Sequence, residues 1–351
     1  MQLDCKEEID RAIYEEELAD FLPEQIFDSH IHTALPQHIA PLSPERRTSK
    51  LGFFADVAAS FDFNPYEFVQ EIWAKLLPRQ RVEGLFFGYP FLETDLDANN
   101  TYVADLIEEQ GVCGLYMPRP QADGEELVRA LDDGHFIGYK PYPDFVPNKT
   151  FDEIRVADYV PAALWEIADE RGAIVLVHLA RPGRLYDPHD IQDMAAICQR
   201  YRQAKIIIAH IGRPYIPSMI KDGIPAEYKR AQNLWFDICP ICESEVLETA
   251  IREVGPQRLL FATDSPITYM RGRLGEWKGQ RKFFSASDFP WNVNREPKEK
   301  EDRYTFYIYE QLRALKKAAE RTGLCRADVK DILYNNAKRL TMEARRAGER
   351  G

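Results

Sequence analysis

His30 and His32 stand two residues apart in FDSHIHTALP, Phe27 to Pro36. His178 follows the apolar run AIVLV, His210 follows KIIIA, and Asp264 follows LLFAT. Imidazole and carboxylate are ligands of zinc-type divalent ions. A set that leaves one position open for water makes a hydrolytic centre. Alternate residues of a strand point to one face, roughly 6.6–7 Å apart, so His30 and His32 can converge on one ion. Each residue alone has a plainer reading. His-x-His arises by chance, a lone histidine is often a bonded core residue, and TDSP has turn composition. Their joint placement separates them from that background. Four of the chain's seven histidines close three apolar runs, whereas His38, His135 and His189 fall in loops or at run starts.

Positioning such a set requires several strands with aligned ends. Eight short apolar runs recur: QIFDSHIH, VEGLFFGYP, VCGLYMPRP, HFIGYKPYP, AIVLVHLA, KIIIAHIG, LWFDICP and LLFATDSP. Their β-branched and aromatic content reads as buried strands. Helical patterns lie between them. Asn64-Pro65 reads as a cap opening YEFVQEIWAKLL, VADYVPAALWEIADERG reads as a helix stopped by Gly172, and SEVLETAIREVG repeats apolar residues every four positions. Eight strands alternating with helices predict a (β/α)8 TIM barrel, in which inward residues meet at the carboxyl end of the strands. An open doubly wound sheet is the runner-up, but it would carry a Gly-rich phosphate loop after its first strand, and none is present. The expected organisation is one barrel domain over 1–351, with a helical extension at 1–24 and the barrel with C-terminal helices at 25–345. Long loops at 34–63 and 271–303, after strands one and eight, should wall the active end.

The 351 residues are 45% hydrophobic and 29% charged, with a net charge of −12, which argues against a nucleic-acid or anionic-membrane binder. No basic segment followed by an apolar one opens the chain, and no run reaches the roughly 20 apolar residues of a membrane helix. The reading is a cytoplasmic protein whose six scattered cysteines are reduced thiols. Cys239 and Cys242, in CPIC, read as packing or wall residues. Positive charge nevertheless gathers at the strand ends. Arg119, Arg181, Arg184 and Arg213 follow strands three, five and six, and Lys140 follows strand four, with Tyr89 and Tyr142 at comparable places. Arg119, Arg181, Arg213, Lys140 and Tyr142 are therefore expected to hold a small anionic substrate, one carrying a carboxylate.

FDSHIHTALP, IVLVHLARPG, IIIAHIGRP, LLFATDSP and the C-terminal DVKDILYNNAKRLT together resemble the amidohydrolase superfamily, in its amidohydrolase-related branch (amidohydrolase family 2), from about Ile26 to Thr341. The resemblance implies that His30, His32, His178 and Asp264 ligate one divalent metal, zinc above others. It implies that His210 acts beside the metal as general acid/base or polariser. Asp264 would also relay the proton of the attacking water. Lys140 occupies the place of a lysine that some superfamily members carbamylate to bridge two metals; a plain ammonium that binds substrate is the favoured reading. Such barrels are commonly homo-oligomers. The leading function is hydrolysis of an amide, lactone or related C–O or C–N bond by metal-activated water. The alternative is a nonoxidative decarboxylase on the same scaffold. A non-catalytic barrel is a third reading, and the intact ligand set argues against it.

Overall fold

In the computed structural model, which describes residues 3–47, 50–288, 292 and 294–348, each of the eight apolar runs contains one strand. These are β1 (Gln25–His32), β2 (Arg81–Phe87), β3 (Cys113–Gly114), β4 (Gly138–Tyr139), β5 (Ile174–Val177), β6 (Lys205–Ile208), β7 (Leu234–Asp237) and β8 (Leu259–Leu260). All neighbouring strands pair in parallel, in the orders β1-β2-β3 and β4-β5-β6-β7-β8. Two parallel bridges close the ring, Tyr116 with Tyr139 and Ile31 with Ser265. The Ser29 amide adds a bond to the Phe261 carbonyl at 3.0 Å. The result is the (β/α)8 barrel.

Period-two alternation divides the core in two. On β5, Ile174 and Leu176 join an inner cluster with Phe27, Phe87, Ile207 and Leu260. Val175 and Val177 pack outward against helices that include Leu164, Val246 and Leu312. The C-terminal segment closes the far end and anchors β8. Asn336 donates to the Pro256 and Leu259 carbonyls at 2.8 and 2.9 Å, and the Ile332 carbonyl accepts from the Phe261 amide. That explains why DVKDILYNNAKRLT matters while offering no metal ligand.

Several local expectations change. Asn64 does not cap the helix Tyr66–Leu76; Pro65 takes that position, and Asn64 donates inward to the His32 carbonyl at 2.8 Å. The segment from Val156 is two helices, Val156–Tyr159 and Ala162–Glu170, because Pro161 between them has no N–H for a continuous ladder. The long segment after β8 is not all loop. It folds as an antiparallel hairpin, β9 (Arg273–Trp277) with β10 (Gln280–Phe284). Lys278 and Gly279 turn it at φ 52° and 76°, the geometry of a two-residue hairpin turn. Residues 289–291 and 293 of that segment lie outside the described residues. All six cysteines are free, and among the described residues no helix is long and apolar enough to cross a membrane.

Candidate metal centre

Strand parity alone would aim β1 the wrong way. Phe27 points into the barrel, so uninterrupted alternation would turn His30 and His32 outward. A bulge corrects this. Asp28 pairs with Gly84 and Ile31 with Phe86, so β1 spends one extra residue between them. The Asp28 carboxylate holds the bulge by accepting from the His30 amide at 3.2 Å and from the Thr263 amide and hydroxyl at 2.9 and 2.6 Å. Ile31 then packs outward, while His30 turns in against the Phe87 ring, 5.0 Å between centroids.

His210 needs a similar correction, since Ile206 and Ile208 face outward. His210, Ile211, Gly212 and Arg213 form a left-handed turn with φ of 57°, 53°, 77° and 73°. For β-branched Ile211 this is a strained conformation. Asp237 and Cys239 sustain it. The His210 amide donates to Asp237 Oδ1 at 2.7 Å and its Nδ1–H to the Cys239 carbonyl at 2.8 Å.

At the floor of the mouth, His30, His32 and Asp264 each offer one ligand atom, all within 4.8 Å of one another. His30 Nε2 is 3.4 Å and His32 Nε2 is 3.6 Å from Asp264 Oδ1. Both Nδ1 atoms face acceptors: Asp237 Oδ2 at 2.9 Å from His30, the Gly88 carbonyl at 2.7 Å from His32. Each Nδ1 must therefore carry the proton, and each Nε2 turns a lone pair toward a carboxylate oxygen. Electron-rich atoms so placed fit a cation between them. Burial supports the same ligand state, pushing His30, His32 and His178 well below the usual imidazole range and keeping them neutral. Asp264, its side chain 14% exposed, is pushed well above the carboxylate range, first by desolvation and then by Asp237. An adjacent cation would reverse that.

His178 stands outside this tight group. Its ring is 5.2 Å from that of His210, and its buried Nδ1 has no partner among the described residues. His30, His210, Asp237 and Cys239 form a second set of close donors. Its atoms already satisfy one another: Asp237 accepts from His30 Nδ1, the His210 amide and the Cys239 thiol at 3.2 Å. It reads as the support under the metal centre. His210 is held neutral, pushed down to about 3 by burial against the opposing pull of Asp237.

A cavity of about 300 Å³ opens above the floor, with His30, His32, His178, His210 and Asp264 in its lining. Tyr89, Phe91, Tyr142 and Phe151 give it aromatic walls. Of the cations expected there, Arg213 lines it. Lys140 does not; it is fully buried behind the lining, its Nζ 5.7 and 5.2 Å from the Phe87 and Tyr142 ring centroids and without a hydrogen-bond partner among the described residues. Burial pushes it down to about 8. Arg119 is exposed and outside the lining. Arg181 is outside it too, held by Asp187 at 2.8 Å. Arg184, the second arginine after strand five, lines the cavity, as do Arg281 and Tyr215, which no strand-end pattern marked.

Asp190, beside that Arg181–Asp187 pair in sequence, has a carboxylate oxygen without a hydrogen-bond partner among the described residues. Burial, then the Asp187 charge, push it up to about 7. The native state thus holds this proton more tightly than the unfolded chain. The stability involved is fully present below the unfolded value and is lost as pH rises through about 7. Asp190→Asn does not titrate, so it should gain about 2 kcal/mol over the native sequence between about pH 5 and pH 8. Denaturant unfolding at the two pH values checks this; a difference independent of pH would remove burial of this carboxyl as a cause.

Comparison with known proteins agrees with the fold. The sequence model of one family, described as amidohydrolase, matches residues 27–340. No curated protein matches the chain. Among solved structures, a dihydroxybenzoic acid decarboxylase from a Polaromonas species, with bound manganese and the inhibitor 2-nitroresorcinol, is 17% identical over 91% of this chain and 97% of that one, with a TM-score of 0.54. An amidohydrolase from Burkholderia multivorans with bound HEPES is 12% identical over 91% and 99%, TM-score 0.54. The 5-carboxyvanillate decarboxylase of Sphingomonas paucimobilis is 13% identical over 91% and 99%, TM-score 0.51. At these identities the likeness is one of fold. The family match over most of its length, together with the barrel, makes this chain a member of the amidohydrolase family of enzymes.

Proposed function

We propose that the chain is a zinc-dependent hydrolase of a small, carboxylate-bearing amide, lactone or related ester. The observation that carries this is the convergence of His30 and His32 Nε2 on Asp264 Oδ1 at the floor of the cavity. These three and His178 would hold the ion. When bound, it supplies an acidified water and polarises the bond to be broken. Asp264 takes the proton of the attacking water and returns it to the leaving nitrogen or oxygen. His210, with Nδ1–H tied to the Cys239 carbonyl, turns a lone pair toward the cavity and orients that water. Arg213 and the Tyr142 phenol, which stays protonated because burial raises it, bind the substrate carboxylate. Lys140 offsets the charges of Asp237 and Asp264 from behind.

The aromatic walls favour a second reading, decarboxylation of a planar acid, and two of the solved structures similar in fold are named as decarboxylases. There Asp264 would deliver its proton to the carbon as the C–CO₂ bond breaks and its electron pair stays on that carbon. Isotopes separate the two. Hydrolysis in oxygen-18 water places the label in the product acid and releases no carbon dioxide. Decarboxylation in heavy water releases carbon dioxide and puts deuterium on the product carbon. Carbon dioxide release from aromatic acids, with no label gained from lactones or amides, would replace the first reading by the second.

A further inference from the structure

The hairpin β9–β10 brings a cation to the cavity that no barrel strand supplies. Arg281, on β10, lines the cavity with its guanidinium 5.6 Å from the Tyr215 ring centroid and 5.5 Å from that of Phe283. The hairpin is docked rather than free. Glu276 opposite Arg281 accepts from the Ser218 amide at 3.0 Å, and Glu243 accepts from the Glu276 amide at 2.9 Å and from Arg273. Arg184 and Arg213 line the same cavity. Their hydrogen-bond partners among the described residues are uncharged: the Met219 sulfur for Arg184, the Ala180 and Arg181 carbonyls for Arg213. Among the described residues none of the three guanidiniums forms an ion pair. Elsewhere Arg155, Arg171 and Arg313 do pair with acids, as expected in a chain of net charge −12.

Three guanidiniums without an ion pair among the described residues, gathered round one cavity, repel each other. Burial, then Arg281 and Arg213, push Arg184 down to about 10. Burial lowers Arg281 as well, and Arg213 adds to it. Tyr215 links this group to the metal centre, with its ring 6.3 Å from that of His210 and the charges of Arg213, Asp264, Arg281 and Arg184 all reaching it. An oxyanion between the arginines would relieve the repulsion and take up their forked donors. We propose that Arg184, Arg213 and Arg281 form an anion subsite, completed by the hairpin and separate from the reacting group at Asp264, so that the substrate carries a carboxylate held by all three in addition to the group that reacts. The inference rests on the hydrolase reading for which group reacts, but not for its own test.

The full metal-loaded chain is titrated calorimetrically with isophthalate and with benzoate. Isophthalate, which can engage both ends, should bind about tenfold tighter or better. In R281Q and in R184Q that preference should fall below about threefold, while R281K keeps an intermediate preference because it retains charge without the fork. Melting temperatures close to the parent's show that the variants are folded. Equal affinities in the parent, no binding of isophthalate, or a preference unchanged in both glutamine variants would overturn the subsite. Failure of turnover on every acid, amide and lactone would instead count against the proposed reaction and leave this binding ratio standing.

Discussion

Asp264→Asn should lower kcat/KM by about 10³-fold or more on any substrate the enzyme turns over. The substitution keeps shape and removes both the negative charge and the place where a proton can rest. His30 and His32 would then face an amide at about the distances of 3.4 and 3.6 Å that their nitrogens now keep to the carboxylate oxygen. Folding should survive. Asp264 has φ 57°, and asparagine adopts that left-handed conformation as readily as aspartate. Kinetics, metal content and melting temperature on one preparation separate these effects. A folded variant within about tenfold of the parent's kcat/KM would show that Asp264 neither holds the metal nor relays the proton.

The second large effect is expected from a residue that touches neither substrate nor metal. Asp237 is fully buried, and its carboxylate oxygens accept from His30 Nδ1–H, the His210 amide and the Cys239 thiol. Asp237→Asn replaces one acceptor by a donor. If the amide NH₂ faces His30, the ring must move its proton to Nε2, where it points at the ion position and blocks ligation. If it faces His210, the left-handed turn of residues 210–213 loses the bond at 2.7 Å that sustains it. Either way metal affinity should fall about 10–100-fold, and folding stability should drop by about 1–3 kcal/mol. Competition with a coloured chelator measures the first, denaturant unfolding the second. Parent-like affinity in the variant would mean that His30 is not oriented through Asp237.

The barrel was legible because each apolar run ends in punctuation and the runs alternate with helical patterns. What the pattern could not show was aim. His30 and His32 reach the axis only through a bulge held by Asp28, and His210 only through a left-handed turn held by Asp237. Neither device has a period-two signature, because each depends on bonds to a segment far off in sequence, Thr263 for the bulge and Asp237 for the turn. Asp237 itself did leave a signal, an acid closing the apolar run LWFD just as Asp264 closes another. Arg281 was hidden in a charged stretch, although RLGEW and QRKFF flank a Lys-Gly turn at two-residue hairpin spacing. Arg119 and Arg181 show the opposite limit. A place after a strand end does not fix where a long side chain goes, and Asp187, six residues on, captures Arg181.

Metal analysis of the purified chain and of K140A tests the central claim, that the strand-end cluster holds a single ion, most directly. About one equivalent of divalent metal per chain is expected in both, because Lys140 is fully buried and is not part of the cavity lining. Two equivalents with one lost in K140A, or no metal retained after zinc is supplied, would contradict it.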